Sequence, residues 1–184
     1  MNIGVVASRY AKALLKFVQE NGTGEIVYSQ SLTLVHAFES LPQFKDIVEN
    51  HDDVSIDRKC QLMSSACEGG LHDDMDRFIR LVASHGRLEL TERILQSFIS
   101  LYRSANRIKV GKLVTVASDA HLKGRLEELL RNKTGASVIL EETVDPEILG
   151  GFIFEIDDLR LDASVRTGLD RIRRELVENN NRIV

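Results

Sequence analysis

The sequence predicts a mainly α protein, with an N-terminal six-helix bundle followed by a small α+β C-terminal domain. Apolar residues recur at helical spacing as far as residue 107, and no strand-like alternation there is long enough to compete. From residue 109 the pattern changes to the β-branched alternation KVGKLVTVA. Two prolines and no tryptophan among 184 residues leave Leu, Ile, Val and Ala to fill the interior. Together these observations predict two domains, 1–107 and 108–184.

The first domain is divided by short clusters of helix-stopping or helix-capping residues. Such clusters lie at residues 21–24, at Leu41-Pro42, at residues 50–53, at residues 69–70 and at Gly86. His85 precedes the last of these, where its side chain suits the exposed carbonyls of a helix end. Six helices are therefore predicted, at residues 3–20, 24–40, 43–50, 55–68, 72–85 and 88–107.

The second domain mixes strands and helices. After the strand at 109–117, Asp119 offers an N-cap for a helix that runs to about Lys133. Further strands are predicted at 137–141 and 151–156, with a short extended piece at 160–161 and a last helix from Ala163. That helix has a regular apolar stripe, which we expect to pack on the small sheet. The stripe consists of Val165, Leu169, Ile172 and Leu176.

The composition is that of an ordinary water-soluble domain, with 43% hydrophobic and 28% charged residues. No stretch approaches the ~20 consecutive apolar residues that cross a bilayer, so we expect no membrane span and a location on the cytoplasmic side. A net charge of −4 argues against a nucleic-acid binder, because phosphate contacts usually require a basic surface.

The sequence contains no strong catalytic or ligand-binding motif. The sequence contains neither a phosphate-binding GxxxxGK[ST] loop nor a GxGxxG turn after a strand. The five histidines lack paired ligand spacing, and Cys60 and Cys67 have no CxxC partner, so both are expected to be core thiols. We therefore predict no catalytic residue, no cofactor and no metal site.

Helices 1 and 5 carry more apolar surface than one buried face requires. Their apolar positions cover an arc of about 200°, against the ~100° or somewhat more that a surface helix needs. On helix 1 these positions are Ile3, Gly4, Val6, Ala7, Tyr10, Ala11, Ala13, Leu14, Leu15, Phe17 and Val18. On helix 5 they are Leu71, Met75, Phe78, Ile79, Leu81, Val82 and Ala83.

Two interpretations of this surplus remain open at the level of sequence. Both helices could lie near the centre of the bundle and bury the whole width internally. Alternatively, they pack side by side and leave a groove for an amphipathic helix of another protein. Gly4 and Ala11 would then allow close approach, and Phe78 and Val82 would anchor the helix. On this second interpretation, a charge at Ala11 or Val82 is expected to abolish binding and leave the bundle folded.

Three segments, in order along nearly the whole chain, carry a family resemblance. Residues 7–18 (ASRYAKALLKFV) resemble the first helix of ATP synthase delta subunits and of the mitochondrial oligomycin sensitivity conferral protein. Residues 78–90 (FIRLVASHGRLEL) are similar to that family's fifth helix and the turn after it. Residues 138–157 (VILEETVDPEILGGFIFEID), followed by 161–165, resemble its C-terminal signature. Asp157 departs from the small or amide residue more usual in the signature.

The resemblance implies a non-catalytic stator subunit of an F-type ATP synthase, peripheral on the cytoplasmic face of the bacterial inner membrane. It implies that helices 1 and 5 bind the N-terminal helix of an alpha subunit, and that the second domain binds the peripheral-stalk b subunits. The groove expected on this basis comprises Gly4, Ala7, Tyr10, Ala11, Leu14, Leu15, Val18, Met75, Phe78, Ile79, Val82 and Ala83. The corresponding signature residues are Gly150, Gly151, Asp162 and Ser164.

Two other classes of function are alternatives to the stator subunit. An RNA-binding helical module of the antitermination-factor kind is also a helical bundle, but it requires a contiguous basic surface, and here Lys and Arg are distributed among 28 acidic residues. An enzyme with an unrecognised site is the other, although no residue cluster points to a reaction. The resemblance implies that proton or sodium flow drives the complex.

Overall fold

The computed structural model describes residues 3–50 and 54–181 and separates into two compact units, residues 1–105 and 106–184. Unit 1 is entirely helical in its described part. Its helices are α1 (Ile3–Asn21), α2 (Gly24–Ser40), α3 (Pro42–Asn50), α4 (Ile56–Ala66), α5 (Asp73–Ser84) and α6 (Thr91–Ala105), with a 3-10 turn at Leu88–Leu90 before α6. The predicted fold class is confirmed.

Local hydrogen bonds fix where several helices begin and end. The Ser55 hydroxyl accepts from the Arg58 amide at the start of α4, and His72 Nδ1 accepts from the Asp74 amide at the start of α5. At the end of α5 the His85 ring lies 2.8 Å from the Leu81 carbonyl, which confirms its predicted capping role. These side chains occupy amide and carbonyl groups that a helix terminus leaves without backbone partners.

The core of unit 1 is built around α6. Ile94, Leu95 and Phe98 are fully buried, and α6 packs closely against both α1 and α2. Gly24 allows one such approach, because a Cβ there would lie 2.9 Å from the ring of Tyr102. Close contact of backbone with an aromatic ring requires the smallest residue at that point.

Unit 2 combines a small sheet with two helices. Its elements are β1 (Ile108–Thr115), α7 (Ala120–Thr134), β2 (Ser137–Val144), a 3-10 turn (Pro146–Ile148), β3 (Phe152–Ile156), β4 (Leu159–Asp162) and α8 (Val165–Asn181). The four strands form a mixed sheet in the order β2-β1-β3-β4. Strands β1 and β2 are parallel, which requires a crossover, and α7 supplies it. Strands β3 and β4 continue the sheet in antiparallel register.

One face of this sheet forms the core of unit 2 with α7. Leu113, Leu140 and Phe154 are buried on it, against Leu126 and Leu130 of the helix. The Asp119 carboxylate accepts from the amides of residues 121 and 122, so it is the predicted N-cap of α7. Burial of these side chains is the main source of the unit's stability.

The expected packing of the last helix is wrong. We predicted that the α8 stripe would cover the sheet, but each member is exposed, from 46% at Val165 to 65% at Leu176. The helix instead touches the 3-10 turn at Pro146–Ile148 near its own start. An apolar stripe therefore lies on the surface of unit 2.

Candidate functional site

Helices α1 and α5 lie side by side in antiparallel directions. The side chains of Asn21 and Thr23, at the end of α1, bond to Asp74 at the start of α5. Near the other end of α5, the ring of His85 lies 6.2 Å from that of Tyr10 on α1, measured between centroids. Residue numbers therefore increase in opposite directions along the two helices. The two predicted helices are neighbours in unit 1.

Most of the predicted groove residues lie inside the core of unit 1. Tyr10 and Leu15 are half-buried, and Gly4 is exposed. The other nine are at most 7% exposed: Ala7, Ala11, Leu14, Val18, Met75, Phe78, Ile79, Val82 and Ala83. Much of the apolar surplus on both helices is therefore buried within the unit itself, as the first of the two interpretations expects.

An apolar stripe along α1 nevertheless reaches the surface on the side of α5. It recurs at alternating steps of three and four residues, the spacing of a helix that packs against another helix. Its accessible members are Ile3, Tyr10, Ala13 and Phe17, with Val6 largely covered between them. On α5, Leu81 is 49% exposed, one turn beyond Phe78. We call Ile3, Tyr10, Ala13, Phe17 and Leu81 the α1–α5 surface.

Aromatic rings of the two helices meet near the middle of this surface. The Tyr10 ring meets that of Phe78 edge-on at 6.5 Å between centroids. The backbone of α1 lies closest to that of α6, and the backbone of α5 lies closest to that of α4. Helices α1 and α5 therefore meet mainly through side chains. A surface between two helices whose backbones stand apart suits a third helix.

Gly4 and Leu15 lie on the opposite edge of α1. Gly4 borders a surface depression of about 500 Å³ with Val5, Ser8 and Lys12, away from the Tyr10 edge. Of the three less buried groove residues, only Tyr10 therefore lies on the α5 side of α1. Ile3, Ala13 and Phe17 of α1 and Leu81 of α5 belong to the apolar arcs but were not in the predicted groove. The alternating three- and four-residue spacing along α1 is the signal that identifies the first three.

The signature glycines of unit 2 lie where β3 meets the start of α8. Gly151 has a φ of 73°, and a Cβ there would fall 2.2 Å from the Ala163 carbonyl oxygen. A Cβ at Gly150 would lie 2.9 Å from Cγ2 of Val165, whose amide donates to the Gly150 carbonyl at 3.0 Å. Close packing therefore accounts for both residues, and no phosphate site is needed to explain them.

Asp162 and Ser164 cap the start of α8. The Asp162 carboxylate accepts from the Ser164 amide at 3.0 Å, the Ser164 hydroxyl at 2.7 Å and the Thr167 hydroxyl at 2.9 Å. These bonds, first that of the Ser164 hydroxyl, lower the pKa of Asp162 because they favour its charged form. Ser164 in turn accepts from the Thr167 amide. The four signature residues together fix where α8 leaves the sheet.

The exposed stripe of α8 has the spacing of a coiled-coil seam. Its steps are four, three and four residues from Val165 to Leu176. Between these residues the helix has four arginines and two acidic side chains, and Arg166 and Arg173 flank the stripe. Contiguous exposed apolar side chains of this kind mark interaction sites.

The described part of the chain contains neither a metal-ligating cluster nor a helix that could span a membrane. Across residues 3–50 and 54–181 no group of His, Cys, Asp or Glu is arranged to hold a metal ion. Cys60 and Cys67 are buried free thiols, as predicted, and burial raises the pKa of each. None of the helices in this part of the chain is both long and apolar enough to cross a bilayer.

Comparison with known protein families identifies the family of this chain. Residues 6–176 match the model described as the ATP synthase delta (OSCP) subunit. The chain belongs to the ATP synthase delta (OSCP) family. It is therefore a peripheral-stalk component of an F-type ATP synthase, and the resemblance seen in the sequence is confirmed. This membership favours the stator subunit over the RNA-binding module.

Similar delta subunits match along the full chain. Those named "ATP synthase subunit delta" from Phocaeicola vulgatus and Bacteroides fragilis are each 36% identical, with all of both sequences covered. One from Lactobacillus acidophilus is 32% identical over 95% of this chain and 96% of its own. A chain of the Toxoplasma gondii mitochondrial ATP synthase hexamer has a similar fold, with a TM-score of 0.59, 22% identity, and 93% and 97% of the two chains covered.

Proposed function

We propose that this chain is a non-catalytic connector in the stator of a bacterial F-type ATP synthase, with one binding surface in each unit. Unit 1 binds the N-terminal helix of an alpha subunit on the α1–α5 surface. Unit 2 binds the C-terminal ends of the peripheral-stalk b subunits along α8. Because the central rotor turns inside the catalytic head during ion transport, a connector of this kind prevents the head from turning with it.

The observation that carries the first half is the position of the α1–α5 surface. Its apolar side chains lie on the outside of a bundle that already has its own well-buried core. On α1 the surface extends from residue 3 to residue 17, which is roughly 21 Å at 1.5 Å per residue. An amphipathic helix of about four turns matches this length, and its apolar face would cover Ala13 and Leu81.

The exposed stripe of α8 supports the second half. A heptad-type seam on one helix requires a second helix with the same spacing to bury it. Arg166 beside this seam already pairs with Glu147, so an acidic residue beside the apolar stripe of the b helix would complement Arg173. The signature residues around Gly151 and Asp162 hold the start of α8 in place and so direct the seam away from the sheet.

The location follows from this role. The chain would be a peripheral protein on the cytoplasmic face of the inner membrane, attached through the b subunits. It would serve ATP synthesis without binding a nucleotide itself.

Calorimetric titration of the full chain with a peptide of the cognate alpha N-terminus tests this proposal. We expect saturable one-to-one binding, and Leu81→Asp should weaken it at least about tenfold, since a charge would be buried at the centre of the interface. Ile26→Asp is the matched control, because Ile26 is 50% exposed on α2 of the same unit. Absence of binding by the unmodified chain, or equal affinity of the Leu81 variant, would contradict the proposal.

A further inference from the structure

Polar contacts join α1 and α5 at two points along their length. Asp74 bonds to Asn21 and Thr23 just beyond the residue-17 end of the α1–α5 surface, and Arg87 bonds to Tyr10 near the middle of that surface. Each contact links residues more than fifty positions apart in the chain. We call them the Asp74 clasp and the Arg87 clasp.

The Asp74 clasp is buried and specific. The Asp74 side chain belongs to a residue only 6% exposed, and one carboxylate oxygen accepts from the Thr23 hydroxyl at 2.6 Å and the Asn21 amide group at 3.0 Å. The Thr23 bond, followed by that of Asn21, lowers the pKa of Asp74. A buried carboxylate is costly without such partners, so the geometry of this end is well determined.

The Arg87 clasp holds the ring that forms part of the α1–α5 surface. Arg87 Nη1 donates to the Tyr10 hydroxyl at 2.8 Å, and its guanidinium carbon lies 5.5 Å from the centre of the same ring. The Arg87 amide donates to the Val82 carbonyl, which ties the arginine to the end of α5. The orientation of Tyr10 is thereby coupled to α5.

We infer that Asp74 and Arg87 are positioning residues, which set the separation of α1 and α5 to the width that the partner helix requires. This inference rests on the proposed function of the α1–α5 surface. Since α1 and α5 meet mainly through side chains between the clasps, the two clasps are the specific contacts that fix their spacing. A surface fixed in advance binds more tightly because less ordering is needed on association.

The test compares substitutions that break one clasp but leave the apolar surface in place. Thr23→Val removes the hydroxyl that Asp74 accepts from, and Tyr10→Phe removes the hydroxyl that Arg87 donates to. We expect each to weaken binding of the alpha peptide by roughly threefold to tenfold in calorimetry, at a temperature where both chains are fully folded. Thr23→Ser keeps the hydroxyl and should restore the affinity of the unmodified chain.

A polar contact elsewhere in unit 1 provides the control. Lys45 and Glu92 form an ion pair between α3 and α6, and Lys45→Gln removes it without touching either clasp. We expect that variant to bind the peptide with unchanged affinity, whatever its effect on the free energy of unfolding. If Thr23→Val and Tyr10→Phe also bind with unchanged affinity, the clasps stabilise the fold alone and the inference is wrong. Failure of the unmodified chain to bind would instead overturn the proposed function.

Discussion

A Cβ atom on Gly151 would lie 2.2 Å from the carbonyl oxygen of Ala163, closer than any side chain can approach. Besides this clash, the backbone conformation of Gly151 also opposes a side chain, because its φ is 73°. The backbones of these two residues cross where β3 begins and β4 passes into α8. Any side chain at Gly151 therefore has to displace the segment that sets the start of α8.

Gly151→Ala should destabilise unit 2 by more than about 1 kcal/mol, since both the positive φ and the clash oppose the methyl group. Hydrogen exchange of the β1 and β3 amides in the full chain measures this effect. Gly124→Ala is the control, because a Cβ at Gly124, in the middle of α7, meets nothing within 4 Å. There we expect a gain of roughly 0.5 to 1 kcal/mol from the higher helix propensity of alanine. Equal protection in both variants would contradict this account.

Asp74 should contribute to the acid sensitivity of unit 1. Its pKa is lowered in the folded chain, so its contribution is complete above the unfolded value of about 3.9 and is lost as the pH falls through the folded value. Asp74→Asn removes this titration. We therefore expect the variant to be less stable than the unmodified chain at pH 7, and the difference to shrink below about pH 4. Urea unfolding between pH 3 and pH 7 measures it, and a difference that stays constant with pH would refute the assignment.

The α8 seam should tolerate a charge in the isolated chain but not in the complex. Ile172 is 54% exposed, so Ile172→Asp should leave the unfolding transition almost unchanged. The same substitution should weaken association with a C-terminal b-subunit peptide at least about tenfold, because the seam would then bury a charge. Leu129→Asp, on the exposed side of α7, should bind normally. Loss of binding in both variants would point to a general effect on unit 2.

Ala11 and Ala13 distinguish core from surface on the same helix. Ala11 is fully buried, and Ala13 is exposed on the α1–α5 surface. Ala11→Arg should therefore unfold unit 1, contrary to the expectation from sequence that a charge there affects binding alone. Ala13→Arg should keep the circular dichroism spectrum and thermal midpoint of the unmodified chain but lose the alpha peptide. A folded Ala11→Arg variant would show that α1 faces its neighbours differently.

Periodicity predicted the helices of unit 1 well because each buries a stripe against its neighbours. The predicted bounds of α2 agree with the structure, and α6 differs mainly because residues 88–90 form a separate 3-10 turn before Thr91. Strand β2 is longer than predicted, to Val144 rather than residue 141. Its polar end continues to pair with β1, and a parallel partner of this kind leaves little trace in the local pattern.

The sequence does not show which element the apolar stripe of a helix packs against. The α8 stripe satisfies the pattern of a helix that packs on a sheet, yet Leu169 is 54% exposed. The wide arcs of α1 and α5 likewise contain both core residues such as Ile79 and surface residues such as Leu81, two positions apart. Periodicity indicates that a face is apolar, and only the position of neighbouring elements decides what covers it.

An amide-resolved titration of the full chain with the alpha N-terminal peptide tests the central claim most directly. We predict that the largest shifts fall on Tyr10, Ala13 and Phe17 of α1 and on Leu81 and its neighbours in α5, with the α8 amides unchanged. Shifts confined to the Gly4, Ser8 and Lys12 edge of α1, or to unit 2, would contradict the assignment of the α1–α5 surface as the site that binds the catalytic head.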